Sequence, residues 1–268
     1  MSVYNFRNKI QKTHALKQSR KNSCFERSWR NILLIVPFVV FPENLFAMHI
    51  MEGFLPMSWS IIWYLAVIPF LFIGLRQIRK KTGENSKLKI LLGVAGAFML
   101  VLSALKLPSV TGSCSHPTGT GLGAILFGPF VMSVLGCIVL IFQAFLLAHG
   151  GITTLGANTF SMAIAGPFAA IAIYKLLEFL HAPRWFSVFM CAFSGDMVTY
   201  AVTATQLAMA FPSPTGGYGE SLIKFMGIFS FTQIPLAIGE GVLTVMIFNY
   251  LARHSREELE MLNQIKGK

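Results

Sequence analysis

Charge is scarce in this 268-residue sequence: 12% of its residues are Asp, Glu, Lys or Arg, while 54% are hydrophobic. A soluble domain carries roughly a quarter charged residues, so a water-facing globule of this length is excluded. The four cysteines, Cys24, Cys114, Cys137 and Cys191, show no CxxC spacing, which removes a disulfide framework and a thiolate zinc site. There is no G-x-x-x-x-G-K-[ST] run, so the chain has no P-loop of its own for ATP hydrolysis. HExxH, a GxSxG elbow and a paired-carboxylate pocket are missing as well. No enzyme and no bound cofactor are expected.

Long apolar runs take the place of charge. Residues 57–75, 88–107, 122–148, 157–174, 186–211 and 227–251 are each mostly apolar, and several reach the ~20 residues a helix needs to cross a bilayer. The expected class is an all-α polytopic membrane protein. The formal net charge of +11 sits in three places: Arg7 to Arg30, Arg76 to Lys89, and Arg253 to Lys268. That clustering beside apolar runs marks cytoplasmic segments. A nucleic-acid surface would instead show a basic stripe interleaved with stacking aromatics, and none is present.

Residues 1–47 have the layout of a cleaved signal peptide: basic to Arg30, apolar from Ile32 to Phe41, then Pro42 and Ala47. An uncleaved anchor is the alternative, but the apolar stretch is short and Pro37 and Pro42 interrupt it. Cleavage after Ala47 leaves a transmembrane domain over 48–251 and a cytoplasmic tail over 252–268. The mature N-terminus is then outside, and the first span delivers the basic 76–89 loop to the cytoplasm. The second span returns outward, which places His116 on the same face as Met48-His49.

Parity decides the 122–148 run. A single pass there would leave Lys175, Arg184 and the basic tail outside, against the positive-inside bias. A break at Gly128-Pro129 restores them to the cytoplasm and predicts seven helices, the third short, with the break buried among its neighbours. The outer loops are expected at 108–121, near 149–157 and at 212–226. Gly93 and Ala97 are expected to let helices approach closely. Asp196 and Glu240 lie inside apolar runs, where ionisable groups usually have a function; interhelical hydrogen bonding is the favoured reading over a proton relay.

The outer face carries metal chemistry. The Met48 amine, the His49 amide nitrogen and the His49 imidazole can form fused chelate rings about one ion, and His116 can add a fourth nitrogen. Such a set suits Ni(II), Cu(II) or, less usually, Co(II). Ligating histidines need partners that fix ring orientation and tautomer, and His149, Thr153, Thr154, Asn158 and Ser161 are placed to serve, with Asn158 the best candidate. A tight turn at Gly150, Gly151 and Gly156, capped by those polar residues, is the alternative.

MHIMEGFLP at 48–56, VTGSCSHPTGTGLGAILFGP at 110–129 and LAHGGITTLGANTFSM at 147–162 strongly resemble the CbiM family of cobalt-transport proteins. The resemblance covers essentially all of the chain after residue 47. It implies the substrate-capture component of an energy-coupling-factor importer in a bacterial inner membrane, delivering Co²⁺ for cobalamin synthesis. It also implies metal ligands at Met48, His49 and His116. The implied partners are a CbiQ-like coupling subunit, CbiO-like ATPases and a small CbiN-like membrane protein. A nickel importer of the same type and a membrane metal sensor without transport remain open alternatives.

Overall fold

Gly128 breaks the third apolar run where parity requires it. Its φ of 90° lies outside the range an L side chain readily adopts, and Pro129 then starts the next helix at its first turn, where a missing N–H costs nothing. The result is a short helix followed by a long one.

The computed structural model describes residues 49–84, 87–105, 107–108 and 114–254. In chain order the helices are α1 (Met57–Glu84), α2 (Lys87–Ala104), α3 (Thr120–Phe127), α4 (Pro129–Leu146), α5 (Leu155–Phe179), α6 (Arg184–Ala210) and α7 (Gly217–His254). Between α2 and α3, β1 (Leu107–Pro108) pairs antiparallel with β2 (Cys114–Ser115). All but α3 are long and apolar enough to cross a membrane, as the polytopic reading expects. Ile61, Leu65, Ile68 and Phe72 of α1 and Phe231, Ile238 and Met246 of α7 are exposed. In water such a surface would be a liability; against lipid tails it is the expected one.

The short helix is the best-covered of the seven. Its residues Thr120 to Ile125 and Phe127 are buried, and Gly121 lies so close to α6 that a Cβ would stand 2.6 Å from the Ala192 Cα. At its far end the Phe127 carbonyl accepts Lys81 Nζ of α1 at 3.2 Å. Phe127 is buried and Gly128 and Pro129 are half-buried, so the break meets protein on one side at least.

α5 is not uniform. An opening α-helical turn, Leu155–Asn158, gives way to a π-helical stretch, Thr159–Ala165, before regular helix resumes at Gly166. Pro167 has no N–H for an α-helical bond, consistent with the wide turns just before it. π-helical segments occur often at functional sites, and this one follows Asn158 directly.

Three expectations need correcting. Arg76 to Lys81 form the last turns of α1, and Lys87 and Lys89 open α2, so the basic segment is mostly helix. Polar Tyr218-Gly219-Glu220-Ser221 reads as loop, yet α7 begins at Gly217; Glu220 caps this end by accepting the Ser213 and Thr215 hydroxyls at 2.7 Å each. Nothing lies within 4 Å of a Cβ placed on Gly93. Gly93 and Ala97 line an apolar groove between α2 and α4 with Leu135 and Phe142, and the close helix contacts fall at other glycines. The leader over 1–47, its cleavage point and the tail beyond His254 lie outside the described residues.

Candidate metal centre

Three segments meet at one end of the bundle: residues 49–53, the stretch following β2, and the turn between α4 and α5. The first has no secondary structure of its own, so its main-chain polar groups need partners elsewhere. Asn158 supplies two: its Oδ1 accepts the Ile50 N–H at 2.8 Å and its Nδ2 donates to the Ile50 carbonyl at 3.0 Å. The Thr154 hydroxyl donates to the same carbonyl at 2.7 Å, and the Gly53 N–H donates to the Thr153 hydroxyl at 2.9 Å. Glu52 answers in the other direction, its carboxylate accepting the Thr153 N–H at 3.0 Å. Ile50 and Leu55 anchor the segment below in a buried apolar cluster with Ala157, Tyr200, Leu207 and Phe229.

The α4–α5 turn is shaped for this docking. Ala148 and Gly150 both have positive φ, 48° and 75°, so the chain reverses around His149, whose N–H returns to the Gln143 carbonyl at 3.2 Å. Gly151 is pressed against residue 52: a Cβ there would lie 2.6 Å from the Glu52 Cα.

The outcome is a cluster of three imidazoles. Ring centroids are 4.9 Å apart for His49–His116, 4.8 Å for His49–His149 and 4.9 Å for His116–His149. Each ring offers a nitrogen within 4.8 Å of the others'. All three residues are buried: His116 is 0% exposed, His49 2% and His149 5%. Among the described residues they are the one grouping of three or more His, Cys, Asp or Glu side chains with metal-holding spacing. The His116 tautomer follows from its neighbour. His116 Nδ1 lies 2.9 Å from the Pro117 carbonyl, which can only accept, so Nδ1 carries the proton and in the neutral ring Nε2 holds the lone pair.

Three neutral imidazoles hold a late first-row divalent ion well. Nitrogens bound to one ion at about 2.0–2.1 Å stand roughly 3 Å apart in adjacent positions; the ring nitrogens here, within 4.8 Å of one another, would close in by up to about 1.8 Å to share an ion. Among the described residues, no carboxylate or thiolate enters the cluster.

His49 and His116, which the sequence places on one face, meet here. His149, read as a residue that orients the ligating rings, stands in the cluster at the same distances as the other two. Thr153, Thr154 and Asn158 hold the main chain of residues 50–53. Ser161 donates to the Asn158 carbonyl at 3.2 Å and lies one turn below. Met48 lies outside the described residues. The sequence signal for His149's place in the cluster is a histidine followed by two glycines near a helix end, on the face that parity assigns to His116.

Residues 49–258 match the family model of CbiM, described as a cobalt uptake substrate-specific transmembrane region. The chain is 61% identical over 226 residues to the "Cobalt transport protein CbiM" of Chlorobium limicola, covering 84% of this chain and 89% of that one. It is 59% identical over 222 residues to the protein of the same name from a Nostoc species, covering 83% and 85%. Among solved structures it resembles a truncated transition metal transporter, with a TM-score of 0.68 and 26% identity over 77% of this chain and 99% of the other.

Proposed function

The chain belongs to the CbiM family, and we propose that it is the metal-capturing membrane subunit of an ATP-driven importer of the energy-coupling-factor type, with Co²⁺ as its cargo. Capture takes place on the outer face, at the imidazoles of His49, His116 and His149. The observation that carries this reading is the near-equilateral cluster of three buried histidines contributed by three separate segments. A chance histidine on a membrane protein's loop is solvated; here three leave water together and bring their ring nitrogens to one point, within 4.8 Å of one another.

Met48 completes the proposed centre. Once the leader is removed, its amine adjoins the His49 amide nitrogen and imidazole in the sequence, and the three can close chelate rings on one ion. Asn158, Thr153 and Thr154 then serve the metal indirectly, by holding the peptide that carries the ligands. The chain has no P-loop, so ATP is hydrolysed by a partner: CbiO-like ATPases acting through a CbiQ-like coupling subunit, with a CbiN-like small membrane protein alongside. The imported metal supplies cobalamin synthesis. Nitrogen ligands bind nickel more tightly than cobalt, so the choice of cobalt rests on the family.

The test is N-terminal sequencing and metal analysis of one purified sample, followed by radiolabelled Co²⁺ uptake in cells that also express the partner subunits. A chain beginning at Met48, copurifying with cobalt and losing uptake on His116→Ala is the expected result. Unchanged uptake in that variant would remove the histidine cluster from transport, and Ni²⁺ outcompeting Co²⁺ would reassign the cargo.

A further inference from the structure

Among the described residues, α6 and α7 each bury one carboxylate. Asp196 on α6 is 0% exposed and accepts Gln233 Nε2 of α7 at 2.6 Å, a bond that joins the two helices. Glu240 on α7 is 1% exposed and reaches a different element. Its carboxylate accepts the Thr118 N–H at 2.5 Å, the Gly119 N–H at 2.9 Å and the Thr118 hydroxyl at 2.9 Å. A carboxylate within a membrane span is costly and marks function by default; here three donors surround it.

Those donors belong to the residues that follow His116. Gly119, with φ 68°, is the cap of α3 and has no side chain to bond the first turn. The N–H groups at a helix start need acceptors from elsewhere, and α7 provides one from 121 residues away. The same helix touches the stretch above His116, where the Ser115 and Thr232 hydroxyls lie 3.2 Å apart. Thr232 and Glu240 are separated by about 12 Å along a helix axis, close to the reach of the extended stretch from Ser115 to Thr118. His116 therefore sits on a strap fixed to α7 at both ends.

The link from strap to ring is direct. Glu240 fixes the main chain at Thr118, the preceding Pro117 carbonyl faces His116 Nδ1 at 2.9 Å, and that contact sets the direction of Nε2. We propose that Glu240 is a positioning residue of the metal centre, holding Thr118 and Gly119 so that the Pro117 carbonyl aims His116 at the ion. The inference rests on His116 being a metal ligand. It ties metal affinity to the seat of α7, the helix that runs on to His254 at the opposite end of the bundle.

The test uses the purified full-length protein, titrated with Ni²⁺ and Co²⁺ separately against a chromophoric chelator, with the visible spectrum of the bound ion recorded. Glu240→Gln keeps the size of the side chain but turns an amide toward N–H donors. It is expected to weaken binding by roughly 10–100-fold, the range for a partner that orients a ligand, and to shift the visible bands as His116 contributes less to the ligand field. In a His116→Ala background the same substitution should add little further loss, because coupled residues are not additive. Where Glu240→Gln does not accumulate in the membrane, Thr118→Val decides: it removes one donor and should move affinity and spectrum the same way by less. Parental binding with an unchanged spectrum in the variant measured would overturn the proposal, as would an equal loss with and without His116. If His116→Ala alone changes neither affinity nor spectrum, the ligand assignment falls and this inference with it.

Discussion

Asn158 holds Ile50 by both of its main-chain polar groups, accepting the N–H at 2.8 Å and donating to the carbonyl at 3.0 Å across 108 residues of sequence. An amide side chain is suited to this because it presents one acceptor and one donor side by side, as a neighbouring β-strand would. The grip places His49, one residue earlier, against the turn that carries His149. Asn158→Asp keeps the acceptor but sets a second oxygen against the Ile50 carbonyl. We expect it to weaken Co²⁺ binding by about 10–100-fold, at least as much as Asn158→Ala, with normal membrane insertion. Calorimetry on the two purified variants checks this; an aspartate variant that binds like the parent would detach the grip from the centre.

His149 distinguishes a three-imidazole centre from a smaller one. If its ring binds the ion, His149→Ala removes a ligand, and the loss should exceed the roughly 100-fold at the upper end for a supporting partner. Thr153→Val is the comparison, because Thr153 touches the same segment through Gly53 without facing the ion. Its loss should be the smaller by a clear margin. Equal, modest losses in a competition titration would return His149 to a supporting role.

The helices were legible in the sequence because lipid imposes a strong rule: long apolar runs, with basic residues collected at one side. Even the break at Gly128-Pro129 followed from parity and from what glycine and proline do to a helix. The start of α7 was not legible, since Tyr218 to Ser221 are polar enough to read as loop and are held in helix by the local Glu220 bonds to Ser213 and Thr215. His49 and His116 could be placed on one face by topology alone. That His149 joins them depends on a reversal at Ala148 and Gly150, and the partners of Asn158 and Glu240 lie more than 100 residues away. Spacing along the chain carries no record of such contacts.

Gly156 tests the packing beneath the centre. It lies where α5 meets α1, and a Cβ there would stand 2.7 Å from the Tyr64 main-chain nitrogen and 2.9 Å from its Cα. Backbone cannot rotate away as a side chain can, so Gly156→Ala must push the two helices apart. Overpacking of this kind costs about 1–3 kcal/mol. A lower thermal midpoint in detergent is expected, together with weaker metal binding, because Asn158 lies two residues on and would be carried away from Ile50. Gly93→Ala, with nothing within 4 Å, should not lower the midpoint and should raise it slightly, since alanine favours a helix interior over glycine by about 0.5–1 kcal/mol. Equal behaviour of the two variants would contradict the packing argument.

Acid should release the metal, and the shape of the pH profile reports which nitrogens bind. A protonated imidazole cannot ligate, and an ordinary imidazole titrates at about 6.5. Each ligand that must shed a proton therefore adds about one decade of lost affinity per pH unit below its own pKa. With three imidazole ligands, Co²⁺ affinity should fall steeply on acidification. Imidazoles alone would give a plateau once all three rings are neutral. An α-amine titrates at about 7.7–8.0 and a ligating amide nitrogen must also lose its proton, so a Met48–His49 chelate keeps affinity rising through pH ~8. The expected profile is the rising one, measured by chelator competition with the chelator's own protonation corrected. A flat limb above pH ~8 would take the amine and the amide nitrogen out of the centre and leave the three imidazoles as its proton-linked ligands.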